Sequence, residues 1–149
     1  MTAKTAPLLI VEDSNEDFEV LQRFLHQSPT PISIQRCISG EQALAFLSCT
    51  GDYIGQSAPR PSLIVLDLNL PGTDGREVLR QIKQDDNLKK IPVVVFTTSN
   101  NPKDIADCYR YGVNSYIIKP INFAQLKRDV QMLVDYWFEV TTLPDRFED

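Results

Sequence analysis

Short apolar runs alternate with segments whose apolar residues recur at helical spacing, and the alternation repeats five times along the chain. The runs lie at residues 8–11, 32–38, 63–66, 91–96 and 115–118. The first is followed by a segment with Phe18, Leu21 and Leu25 on one face, the second by Ala43, Leu44 and Leu47, and the third by Val78, Leu79 and Ile82. Ile105, Ala106 and Tyr109 mark the expected inner face of the fourth helix, and Leu126, Val130, Leu133 and Trp137 that of the fifth. Runs one, three and four are continuously apolar, as parallel strands covered on both faces must be. Five such repeats predict a doubly wound α/β sandwich. Breakers agree with these boundaries. Pro61 and Pro92 precede or open strands, Pro102 suits the first turn of a helix, and Gly112 stands where a left-handed helix end is wanted. Residues 49–61 read as one long loop inserted between the second helix and the third strand.

Composition narrows the class. The 149 residues fit one domain, with a core over 8–138 and a tail over 139–149 that is too short for an output module. Fifteen Lys and Arg stand against twenty Asp and Glu, for a net charge of −5. Such a surface repels phosphate backbones and anionic lipid, so neither a nucleic acid nor a membrane is expected as partner. Cys37, Cys49 and Cys108 are too widely spaced for a zinc knuckle or a disulfide framework and read as reduced thiols. The N-terminal residues offer no apolar leader, and no apolar run approaches the roughly 18 residues of a membrane span. The expected compartment is the cytosol.

In an open α/β sheet the functional site lies beyond the carboxyl ends of the strands. The first strand ends in Glu12-Asp13, the third in Asp67, the fourth in Thr97-Thr98-Ser99 and the fifth in Lys119-Pro120, whereas the second ends in nothing comparable. Any one acid there could be a helix cap. Three carboxylates converging on one place repel one another, and a hard divalent cation such as Mg²⁺ relieves that repulsion. Asp67 then becomes a candidate nucleophile toward phosphorus, with Lys119 neutralising the transferred group and Thr97 donating to one of its oxygens. Residue types alone thus point to Mg²⁺-dependent phosphoryl transfer onto aspartate.

The segments Val11-Glu12-Asp13-Ser14, Leu66-Asp67-Leu68-Asn69-Leu70-Pro71-Gly72-Thr73-Asp74-Gly75, Phe96-Thr97-Thr98-Ser99 and Ile118-Lys119-Pro120 resemble the signatures of two-component response-regulator receiver domains. The likeness runs from about Leu8 to Val134. It implies a flavodoxin-like (βα)5 fold with a five-stranded parallel sheet in the order 2-1-3-4-5. It implies that Asp67 accepts a phosphoryl group from a histidine kinase and that Glu12, Asp13, Asp67 and the backbone carbonyl of Asn69 hold Mg²⁺. Thr97 and Lys119 would contact the phosphoryl group, and Tyr116 would act as the gating aromatic. Asn69 and Ser99 fall at positions that modulate dephosphorylation. A cis Lys119-Pro120 bond is also implied. The family usually has Asp at the first acidic position, and Glu12 is a common variation.

Output in this family runs through the face of the fourth helix, fifth strand and fifth helix. Tyr109, Tyr111, Phe123, Tyr136, Trp137 and Phe138 fall on or near it, which suggests a homodimer. Val134 and Phe138 form a second apolar line on the fifth helix, fit either for an interface or for covering the tail. The ending Asp135-Tyr136-Trp137-Phe138-Glu139-Val140-Thr141-Thr142-Leu143-Pro144 resembles cyanobacterial regulators paired with phytochrome histidine kinases.

Rival classes fare worse. A flavodoxin's phosphate loop needs hydroxyls and glycine, but the loop here is Glu12-Asp13-Ser14-Asn15-Glu16-Asp17. His26, the only histidine, reads as an exposed helix residue rather than a phosphodonor. An aspartate-based phosphatase wants a second acid where Asn69 stands, so turnover of an external substrate is not expected. A receiver that never takes phosphate usually lacks an acid or the lysine, and all are present here.

Overall fold

The computed structural model describes residues 6–55 and 60–144. Five strands, β1 (Ala6–Val11), β2 (Ile32–Cys37), β3 (Leu63–Leu66), β4 (Val93–Thr97) and β5 (Ser115–Ile118), alternate with five helices. These are α1 (Asn15–His26), α2 (Gly40–Ser48), α3 (Gly75–Gln84), α4 (Pro102–Tyr111) and α5 (Phe123–Asp135). A 3-10 turn at Gly51–Tyr53 lies in the loop before β3, and a π-helical turn at Tyr136–Val140 extends α5. All strand pairs are parallel, in the order β2-β1-β3-β4-β5. That is the flavodoxin-like order expected from the sequence.

Alternation along the strands divides the core in two. β1 sends Leu9 and Val11 to the face covered by α2, α3 and α4, and Leu8 and Ile10 to the face covered by α1 and α5. Each helix starts on a side chain that accepts from a backbone N–H two or three residues on: Ser14, Ser39, Asp74, Asn101 and Asn122. Such caps contribute about 1 kcal/mol apiece. Gly112 ends α4 at φ 103°, a conformation that a side chain would strain. Among the described residues no helix is long and apolar enough to cross a membrane, and all three cysteines are free.

Three expectations need correction, and one left open is decided. The inner face of α4 is set by Cys108, fully buried, while Ala106 and Tyr109 are exposed and Ile105 is half-buried. The stripe is rotated because Asp104 pairs with Arg76 of α3, which turns the 104, 108 and 111 side toward that helix. In α2 the buried aromatic is Phe46, which periodicity passed over. Its ring meets Tyr53 edge-on at 5.3 Å, so the inserted loop folds back and covers it. Val134 and Phe138 belong to the core with Trp137, which settles the second line of α5 as internal packing rather than docking surface. The hydroxyl of Thr30 reaches the Phe138 carbonyl at 3.2 Å, and Leu143 packs against the same cluster. Finally, no peptide bond among the described residues is cis, so Lys119-Pro120 is trans. Trans is the intrinsically favoured isomer by about 0.5–1 kcal/mol, and with it Lys119 still reaches the carboxylates of the site.

Candidate functional site

Parallel pairing brings the ends of β1, β3, β4 and β5 side by side. The ladder continues one residue past the strands, since the Asp67 N–H donates to the Val11 carbonyl at 3.0 Å and the Lys119 N–H to the Thr97 carbonyl at 2.7 Å. Glu12, Asp67, Thr97 and Lys119 are therefore fixed at the backbone and buried, with Glu12 at 2% and Asp67 at 5% exposure. Asp13 stands beside them, exposed. Each of Glu12, Asp13 and Asp67 offers an oxygen, and these oxygens lie within 4.8 Å of one another. This set of hard oxygen donors fits a divalent ion.

Lys119 holds this charge cluster together. Its Nζ donates to Glu12 Oε1 at 2.8 Å, Asp17 Oδ2 at 2.7 Å and Asp67 Oδ2 at 3.0 Å, which uses all three protons of the ammonium. Burial works against the lysine's charge, but its hydrogen bonds to Asp17 and Glu12 outweigh burial and hold its pKa above the ordinary lysine range. Glu12 is shifted upward too, but here the shift favours the neutral form. Burial pushes its carboxyl up to about 7, although Lys119 pulls the other way. Asp67 keeps its second oxygen, Oδ1, as acceptor for the Asn69 N–H at 3.1 Å.

The rim is polar and connected. Thr97, fully buried, accepts from the Ser99 N–H at 3.4 Å and from Asn69 Nδ2 at 3.5 Å. Asn69 also donates to Thr98 Oγ1 at 3.3 Å. The Ser99 hydroxyl donates to Asp104 at 2.6 Å. Tyr116 packs against the core beneath α4 and donates its hydroxyl to the Ser99 carbonyl at 2.9 Å. All the sequence-predicted residues thus converge at one end of the sheet, with Tyr116 and Ser99 joined at its margin.

Sequence reasoning missed four residues. Asp17, in the first turn of α1, supplies a third carboxylate to Lys119; its place in the acidic run after Glu12 was a usable signal. Arg36 comes from β2, the strand without a polar end. Its Nε donates to the Glu12 carbonyl at 3.0 Å, and its guanidinium stacks 4.5 Å from the Phe18 ring centroid. Arg36 therefore anchors the backbone that carries Glu12 and Asp13. Arg76 and Asp104 meet across α3 and α4, a contact no local pattern announces.

Comparison with known proteins agrees with this geometry. Residues 8–131 match the model of the response regulator receiver domain. The chain is 45% identical over 137 residues to response regulator Rcp1 of Synechocystis sp., covering 92% of each chain. It superimposes on the Mn²⁺-bound form of Rcp1 with a TM-score of 0.91 at 44% identity, covering 94% of this chain and 99% of that one. For the phosphorylated cyanobacterial phytochrome response regulator RcpA the TM-score is 0.89 at 42% identity, covering 95% and 100%. With its acidic pocket at the expected strand ends and this match along most of its length, the chain belongs to the response regulator receiver domain family and is related to the phytochrome response regulators.

Proposed function

We propose that this chain is a response regulator that takes a phosphoryl group from a histidine kinase onto Asp67. The observation that carries the reading is the Asp67 carboxylate itself, buried, with one oxygen on Lys119 and the oxygens of Glu12 and Asp13 nearby. An Asp67 oxygen attacks phosphorus, the P–N bond of the phosphohistidine breaks, and the imidazole leaves with the electron pair and takes a proton from solvent. The product is an aspartyl phosphate. Mg²⁺ bound by Glu12, Asp13, Asp67 and the Asn69 carbonyl would supply positive charge against the phosphoryl oxygens. Lys119 neutralises the transferred group from the other side. Thr97 uses its oxygen as acceptor in both contacts above, which leaves its proton for a phosphoryl oxygen. Asn69 and Ser99 flank the route by which water reaches the acyl phosphate.

The partner kinase is read as phytochrome-type, supported by the likeness to RcpA. Asp67 is consumed once per phosphoryl group, so the chain is a stoichiometric switch and not an enzyme with an external substrate. Its net charge of −5 favours a protein partner in the cytosol over nucleic acid or membrane. The α4–β5–α5 face, with Ile118, Phe123, Met132 and Tyr136 exposed, is the surface proposed for a homodimer.

The test is intact mass after incubation with acetyl phosphate and Mg²⁺. One added phosphoryl group is expected in the unaltered chain, and none in Asp67→Asn or with EDTA. An adduct indifferent to Asp67 would overturn the proposal. Phosphotransfer from a panel of phosphorylated histidine kinases, with a phytochrome kinase transferring fastest, tests the partner.

A further inference from the structure

We infer that Arg76 and Asp104 are positioning residues for phosphoryl transfer. Their forked ion pair sets the spacing between the loop that begins at Asp67 and the loop that follows Thr97. The inference rests on the phosphoryl-acceptor reading above.

All three nitrogens of the Arg76 guanidinium are engaged. Nε and Nη2 donate to the two oxygens of Asp104, both at 2.7 Å, and Nη1 donates to both oxygens of Asp74, each at 2.8 Å. Asp74 is the cap of α3, so the fork ties the start of α3 to the first turn of α4. The pair is well shielded, with side-chain exposures of 28% for Arg76 and 15% for Asp104. Bidentate pairs of this kind fix orientation as well as distance.

Each end of the fork leads directly into the site. On the α3 side, the N–H of Gly75 donates to the Leu68 carbonyl at 3.1 Å. A Cβ at Gly75 would lie 2.3 Å from the Asp67 carbonyl oxygen, so the helix start is pressed against the backbone of the phosphoryl acceptor. On the α4 side, Asp104 accepts the Ser99 hydroxyl at 2.6 Å, and the Ser99 N–H donates to Thr97 Oγ1 at 3.4 Å. The Ser99 carbonyl meanwhile holds the Tyr116 hydroxyl at 2.9 Å. A continuous path therefore runs from the Asp67 backbone through Arg76, Asp104 and Ser99 to Thr97. It bypasses Lys119, whose Nζ is bonded to Glu12, Asp17 and Asp67. Loosening the fork frees the Ser99 loop and with it the hydrogen bond that orients the Thr97 hydroxyl for the incoming phosphoryl group, without removing any hydrogen bond made by the metal carboxylates. Misplacement of a group that contacts the reacting atoms lowers rate rather than ground-state affinity.

The experiment uses the full chain, acetyl phosphate and Mg²⁺, with uptake followed by intact mass and divalent affinity measured by Mn²⁺ titration. Asp104→Asn and Arg76→Gln are each expected to slow uptake at saturating donor about five- to tenfold, with Mn²⁺ affinity within about twofold of the unaltered chain. The double variant is expected to be no slower than the worse single one, and Ser99→Ala to blunt the effect of Asp104→Asn, because residues on one path are not additive. Arg76→Lys, which keeps the charge and loses the fork, should fall between, and it carries the test if Asp104→Asn fails to fold. Unchanged uptake in the variants, additive losses, or a parallel loss of Mn²⁺ affinity would overturn the inference while leaving the receiver reading intact. An unaltered chain that takes up no phosphoryl group would overturn both.

Discussion

The acidic pocket and the α4–β5–α5 face show two opposite treatments of the wrong side chain in the wrong solvent. In the pocket, charged groups are withdrawn from water, and the chain answers each from within: Lys119 donates to three carboxylates, and Asp67 accepts from both Lys119 and the Asn69 N–H. On the face, apolar groups are left in water, with Ile121 at 105%, Met132 at 62% and Tyr136 at 54% exposure, and nothing among the described residues covers them. The first arrangement is self-contained and costly to disturb. The second is cheap to disturb, and it is the surface proposed above to meet a second copy.

The largest effect that would break this contrast is expected at Lys119. Lys119→Met leaves buried carboxylates without their cation, and removing one partner of a buried pair costs about 3–5 kcal/mol. Urea denaturation of the metal-free variant should show that loss, and millimolar Mg²⁺ should restore part of it. A variant as stable as the unaltered chain would mean that the pocket is far wetter than its burial implies.

Two substitutions on one helical extension sharpen the comparison. Phe138→Ala, in the core at 8% exposure, should cost about 3–5 kcal/mol and leave the association state of the folded fraction unchanged. Met132→Ser, earlier on α5 and exposed, should cost about 0.5 kcal/mol or less yet shift light-scattering mass toward the monomer. Equal effects on stability would erase the distinction between the two lines of α5.

A last effect, of intermediate size, is on pH dependence. Glu12 has its pKa raised from 4.5 to about 7, so in the metal-free fold it is protonated in the window where an unfolded glutamate is not. Its contribution to stability is present below pH 4.5 and is lost as pH rises through about 7. Divalent binding needs the ionised form. Affinity measured by calorimetry should therefore fall about tenfold from pH 8 to pH 6, roughly 1.4 kcal/mol for one displaced proton. A flat profile would place Glu12 outside the metal shell.

Much of this was legible along the chain. Apolar runs that are unbroken must be strands covered on both faces, and right-handed crossovers then force every carboxyl end to one side of the sheet. Glu12, Asp13, Asp67, Thr97 and Lys119 could be assigned to one site for that reason alone. Their distances and the sharing of a single ammonium could not. Lys119 and Asp17 are 102 residues apart, and their 2.7 Å contact depends on how α1 is turned against the sheet. Periodicity fixes which residues share a helix face but not how that face is rotated toward its neighbours. The rotation of α4 about Cys108, the inward turn of Val134 and Phe138, the cover that Tyr53 places over Phe46 and the Arg76–Asp104 fork were all decided by packing between elements, where long-range contacts choose among rotations that local sequence leaves nearly equal in energy.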